Sequence, residues 1–192
     1  MASPKEKILA ALKKKKVMRA AELEKFFTHR SILRRMTESA EIFSVGSGFY
    51  AHASVEPQVA AVLAANYYSK AVVSGITALV IHDLSDEVID RVDIDIPRTS
   101  SLRNKIFRVH RVPRERLVGI VNHPYQGYKV RTYDKERALC DAYLKEADGA
   151  IFYKALKRYL RGKDRDIDAI ARYDKDLNTK VLHHVRQELA DG

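Results

Sequence analysis

Apolar residues in this chain change their spacing from about 3.6 to 2 and back, and that change constrains the fold more than any other feature. Ile8, Leu9 and Leu12 recur at helical spacing behind Pro4. Much later, Val92, Ile94 and Ile96 alternate with Asp93 and Asp95 until Pro97 ends the run, and Ile106 to Val112 and Tyr128 to Thr132 read as two further strands. After Asp134 the spacing is again that of helices, through Leu139, Leu156, Ile170 and Val185, with breaks at Gly149 and Gly162. Helices at both ends with strands between them define an α+β chain.

The N-terminal stretch has its own order of elements. Pro4 stands in the first turn, where a missing N–H does no harm, of a predicted helix that ends in the run Lys13 to Lys16. A second short helix, Ala20 to Phe27, places Ala20, Leu23 and Phe27 on one face, and Thr28 is the expected N-cap of a third from His29 to about Ser39. Two β-prone runs, Ile42 to Val45 and Phe49 to His52, flank Gly46-Ser47-Gly48 as a hairpin. Three helices followed by a hairpin is the order of a winged helix-turn-helix.

Around Ala53 to Pro57 the pattern resets, which divides the chain into a domain of residues 1–54 and one of residues 55–192. In the second, helices at Pro57 to about Tyr68 and at Ser74 to His82, the latter capped by Ser74, precede the strands. The expected second domain is a small β-sheet with helices before and after it.

The sequence has 35 Lys and Arg against 25 Asp and Glu, a net charge of +10, which favours a polyanionic partner such as nucleic acid. Residues 1–54 hold 11 of these cations and only 5 of the acids, so the excess is concentrated where the element order suggests a DNA reader. The longest apolar stretch, near Ala60 to Ala65, falls far short of the roughly 20 residues that span a bilayer. No apolar signal-peptide core is present at the N-terminus, so the expected location is the cytoplasm, with no membrane partner. The one cysteine, Cys140, cannot form an internal disulfide or a multi-cysteine zinc module, and reads as a buried thiol. No cofactor or metal is expected.

In the predicted third helix Ile32, Leu33 and Met36 form a narrow apolar stripe while Arg30, Ser31, Arg34 and Thr37 point the other way. The major groove admits one α-helix, and Arg can pair with both acceptors of a guanine edge. Arg30, Ser31 and Arg34 are therefore the expected base readers. Arg35 on the helix flank, Lys14, Lys15 and Ser47 at the hairpin tip are the expected backbone contacts, which position the protein without reading sequence. For any single cation a solvated surface role is the plainer account; the combination with the element order points to duplex DNA.

These segments resemble the AbiEi-type antitoxins and transcriptional regulators of type IV toxin-antitoxin systems. In the N-terminal part the likeness rests on Arg30-Ser31-Ile32-Leu33-Arg34-Arg35-Met36 and on Ile42 to Tyr50 with its Gly-aromatic-Tyr ending. In the second it rests on Val73-Ser74-Gly75-Ile76-Thr77-Ala78-Leu79 with His82-Asp83-Leu84, on Glu136-Arg137-Ala138-Leu139-Cys140-Asp141, and on Ala155 to Leu160. Ala138 departs from it, since the family commonly has Thr after Glu-Arg. The resemblance implies a repressor that binds inverted repeats upstream of its own operon, and a C-terminal domain that neutralises a nucleotidyltransferase-like toxin. It also admits a stand-alone regulator without a toxin.

Asp93-Ile94-Asp95 is the sharpest enzymatic feature, because two carboxylates on one strand face can hold Mg²⁺ for nucleotidyl transfer. With Ser74-Gly75 upstream it faintly resembles a nucleotidyltransferase site, but Ile76 follows Gly75 where that family has a small polar residue. The simpler expectation is no catalysis: Asp93 and Asp95 on the solvent face of a sheet, beside Arg108 and His110 on the next strand. Asp93, Asp95 and Arg108 are accordingly candidate partner-binding residues. His183 and His184 are adjacent and cannot share a metal in the usual helical i, i+4 way, and His82-Asp83 lacks a nucleophile.

Overall fold

In the computed structural model, which describes residues 2–146 and 149–190, Ser3 caps the first helix, α1 (Pro4–Lys15). Its Oγ accepts from the Glu6 N–H at 3.2 Å while Glu6 accepts from the Ser3 N–H at 2.7 Å, satisfying two orphan donors. Lys13, Lys14 and Lys15 occupy the last turn, where positive charge suits the carbonyl end of the helix dipole, and the helix ends within the lysine run as expected. A turn through Lys16 leads into an unforeseen strand, β1 (Val17–Arg19), which buries Val17 and Met18.

Two predicted helices are shorter than expected. The second, α2 (Ala20–Leu23), passes into a 3-10 turn at Glu24–Phe26. The third, α3 (Ser31–Glu38), begins after Arg30, so Arg30 and not Thr28 is its N-cap. Then β2 (Ile42–Gly46) and β3 (Phe49–His52) form the expected hairpin, and β1 pairs with the other edge of β3, making an antiparallel sheet of order β1-β3-β2. Ile8, Leu12, Met18, Leu23, Leu33 and Met36 pack together beneath it.

The next helix, α4 (Pro57–Ala65), buries six of its nine residues. Such an all-round apolar helix belongs between layers, and its cluster joins Val17, Phe49 and Ala51 of the first sheet to Val92, Ile94 and Ile96 of a second. The apolar core therefore crosses residue 54 without a break. Tyr67 Oη donates to the Val17 carbonyl at 2.9 Å, and the Arg19 guanidinium lies 5.0–5.4 Å from the rings of Phe49, Tyr67 and Tyr68.

The second sheet contains β4 (Val72–Val73), β5 (Val92–Pro97), β6 (Phe107–Val112), β7 (Ile120–Tyr125) and β8 (Tyr128–Tyr133), in the order β6-β5-β4-β8-β7. It is mixed: β5 runs parallel to β6 and β4 to β8, while β4/β5 and β7/β8 are antiparallel. Three strands were legible in the sequence and two were not. The two residues of β4 are too few to show a period, and β7 contains Pro124, which an edge strand tolerates because that N–H needs no partner.

Helix α5 (Gly75–Ile81) follows β4, and four helices close the chain: α6 (Lys135–Glu146), α7 (Ala150–Arg161), α8 (Ile167–Leu177) and α9 (Val181–Ala190). Residues Glu136 to Ala142 are buried in succession, which makes α6 the centre of the helical layer. Cys140 lies within it, its thiol pushed up to about 12 by burial. Among the described residues no helix is long and apolar enough to cross a membrane.

Candidate functional site

Two sets of charged residues stand out, one exposed on α3 and one buried around α6. On α3, Leu33 and Met36 turn inward while Ser31, Arg34 and Arg35 are exposed, as the helical spacing predicts. Arg30 is exposed at the cap, one residue before the helix, and pairs with Glu24. Arg34 Nε donates to Glu38 Oε1 at 2.8 Å, and Arg35 reaches back to Ser31 Oγ at 3.5 Å. Such exposed pairs contribute roughly 0.3–0.5 kcal/mol, so these guanidinium groups can exchange their partners for a ligand's.

Beside α3 lies an open groove of about 440 Å³ that brings Arg35 together with Lys25 and His29, over Phe26, Phe27 and Ile32. Lys25 and His29 were not foreseen, since only the fold of the α2–α3 connection sets them beside Arg35. Lys14 and Lys15 are both exposed at the end of α1, but Lys15 Nζ already contacts Glu22 at 2.9 Å and ties α1 to α2.

The hairpin tip packs against another part of the chain. Ser47 stays exposed, yet its Oγ accepts from the Lys105 N–H at 3.4 Å, and a Cβ added at Gly46 would come within 2.7 Å of the Ile106 side chain. Gly46, Ser47 and Gly48 all have positive φ, so the turn is tightly bent, and it rests against the segment before β6.

A larger correction concerns Asp93 and Asp95, which are 4% and 0% exposed instead of lying on a solvent face. The alternation of β5 was read correctly, but both faces are covered. Val92, Ile94 and Ile96 face the cluster around α4, and the carboxylates face α5 and α6. Arg108 and His110 are the expected cross-strand neighbours: both contact Asp93 Oδ1, at 3.3 and 3.0 Å. The Asp93 N–H also donates to Thr77 Oγ1 at 2.9 Å.

Asp95 is held from two other sides. Tyr133 Oη donates to its Oδ2 at 2.8 Å, and Lys145 Nζ donates to its Oδ1 at 2.5 Å. The same ammonium donates to Ser74 Oγ and to Asp141 Oδ2, each at 2.7 Å. Ser74 therefore receives Lys145 and makes no side-chain cap to α5. The Gly75 N–H donates to Asp141 Oδ2 at 2.7 Å, and Arg137, 1% exposed, contacts Asp141 at 3.3 Å while its guanidinium lies 4.2 Å from the Tyr133 ring.

Charge matching sets the ionisation of these groups. Burial pushes the Asp141 carboxyl up, but Lys145, Arg137 and the Gly75 N–H outweigh it and hold it below the usual carboxylate range. Burial, reinforced by the Asp95 charge, pushes the Tyr133 phenol well above its ordinary value. Burial and Asp93 together raise Glu146. Asp93, Asp95 and Asp141 thus each meet a cation of the chain itself. Lys145 and Asp141 were missed as members of this group, although Arg137, Asp141 and Lys145 recur at i, i+4 and i+8, the signature of a charged helix face.

No protein-family model and no curated protein matches the chain. Among solved structures it is similar to the RV2827C protein from Mycobacterium tuberculosis, with a TM-score of 0.58 and 14% sequence identity, over 88% of this chain and 70% of that one. At that identity the likeness concerns the fold alone.

Proposed function

We propose that this chain is a DNA-binding transcriptional autorepressor, with a winged helix-turn-helix in residues 1–54, that also serves as the antitoxin of a type IV toxin-antitoxin system. The observation that carries the DNA reading is α3. It is a short helix that buries Leu33 and Met36, leaves Ser31, Arg34 and Arg35 exposed, and stands immediately before the β2–β3 hairpin of the three-stranded sheet. In this reading Arg30, Ser31 and Arg34 meet base edges, while Arg35, Lys14 and Lys15 hold phosphates. Lys25 and His29 extend the phosphate-binding flank, and Lys105 joins Ser47 at the hairpin tip. The antitoxin half, acting on a nucleotidyltransferase-like toxin, rests on the family resemblance and belongs to residues 55–192.

A catalytic reading of Asp93 and Asp95 has one observation in its favour, the neighbouring Ser74-Gly75. Against it stands the engagement of both carboxylates by Arg108, His110, Lys145 and Tyr133. We favour a non-catalytic domain whose acidic pair is structural.

Gel-shift titration against the DNA upstream of the chain's own reading frame tests the repressor. Arg34→Ala should cost roughly 1–3 kcal/mol on the operator and less on random DNA, whereas Lys14→Ala should weaken both and lower the salt slope by about one. Equal loss on both DNAs for Arg34→Ala removes the base-reading role. Co-expression with an adjacent nucleotidyltransferase-like reading frame tests the antitoxin: growth should be restored by the full chain and by Arg34→Ala alike.

A further inference from the structure

The excess of positive charge in the second part of the chain is confined to one place. Residues 154–165 contain six cations and one acid, Asp164, while the remainder of residues 55–192 holds 18 cations against 19 acids. Four of the six, Lys154, Lys157, Arg158 and Arg161, follow one another at i, i+3, i+4 and i+7 on α7 and so share a face. They line a cleft of about 340 Å³ whose other wall is the segment Leu84 to Glu87. That volume is within the range of small-ligand sites.

The cations in this cleft are poorly matched. Lys154 and Arg161 have no carboxylate partner among the described residues, and the pairs Arg158–Asp86 and Lys157–Glu188 are long, at 3.5 and 3.6 Å, with both cations exposed. The contrast with Asp93, Asp95 and Asp141, each matched inside the protein, is direct. Clustered ammonium and guanidinium groups recognise dense negative charge, and guanidinium groups in particular suit phosphate oxygens. Leu84 and Ile151 add an apolar part to the lining. Asp86 and Glu87 on the opposite wall repel a continuous duplex backbone but can accept hydrogen bonds from the hydroxyls of a sugar.

We propose that this cleft binds a small polyphosphate-bearing molecule, with the phosphates on Lys154, Arg158 and Arg161 and any apolar moiety against Leu84 and Ile151. The site is independent of the DNA reading of α3.

Calorimetric titration of the full chain at low salt with ATP, tripolyphosphate, adenosine and a short duplex of unrelated sequence tests it. ATP and tripolyphosphate should bind and adenosine should not. Lys154→Ala and Arg161→Ala should each weaken ATP by about five-fold, while Lys129→Ala, at an exposed lysine outside both proposed sites, leaves it unchanged. Tighter binding of ATP than of tripolyphosphate identifies a nucleotide; equal binding identifies the phosphate chain alone; both support the site. No binding of ATP at millimolar concentration, or unchanged affinity in the Lys154→Ala/Arg161→Ala double variant, overturns it. A double variant that loses the duplex as strongly as ATP overturns it as well, and makes the stripe a nucleic-acid contact. All the substituted side chains are exposed, so circular dichroism should be unaltered.

Discussion

Arg34–Glu38 and Arg137–Asp141 are the same pair by spacing, Arg or its equivalent one helical turn before a carboxylate, yet they have opposite uses. The first is 82% and 58% exposed; the second is 1% and 3% exposed. In water the pair gains little and its charges stay available, whereas in the interior each charge must be matched or the fold suffers. The exposed cations of α3 are thus available to a partner, and the charges around α6 mainly hold β4, β5, α5 and α6 together.

The sharpest way to break this comparison is Lys145→Met, which keeps the stem but leaves Asp95 and Asp141 without their shared ammonium. It should cost about 3–5 kcal/mol in urea denaturation, the range for breaking a buried pair. A loss as small as that of a surface pair would mean that the network is not structural. Gly75→Ala comes next. Gly75 has a φ of 54°, and an added Cβ would lie 3.2–3.3 Å from Asp93 and Lys145 atoms, so strain and crowding should cost about 1–3 kcal/mol.

A smaller effect is expected from His82, buried with Nε2 2.6 Å from the Tyr133 carbonyl and its ring 4.3 Å from that of His123. Burial lowers its pKa, although the Tyr133 carbonyl pulls the other way. The unfolded chain then takes up the proton first as pH falls below about 6.5, so stability present above that pH is lost below it. Urea midpoints measured from about pH 7 down to about pH 5 should fall less steeply in His82→Gln than in the parent. Smallest of all, Arg34→Ala should change the free energy of unfolding by no more than about 0.5 kcal/mol while still weakening the proposed binding to operator DNA.

Much of this arrangement was legible from spacing. The order of helices and hairpin, the exposed face of α3, the alternation of β5 and its Asp93–Arg108 neighbourhood all follow from residue period and type. Thr28 failed as a cap because the chain turns at His29 and Arg30 before α3 begins. The strands β1 and β4, of three and two residues, are too short to carry a period, and β7 is masked by its proline.

By itself the sequence determined which side chains share a face, because backbone geometry sets that locally. It also determined where positive charge gathers, in residues 1–54 and in residues 154–165. Only the tertiary structure decided which faces are covered. Nothing in Val92 to Ile96 announces that α5 and α6 lie over the acidic side of β5, or that Lys145, fifty residues on, meets Asp95 there. Exposure is a property of what packs against a surface, and that depends on contacts between residues far apart in the chain.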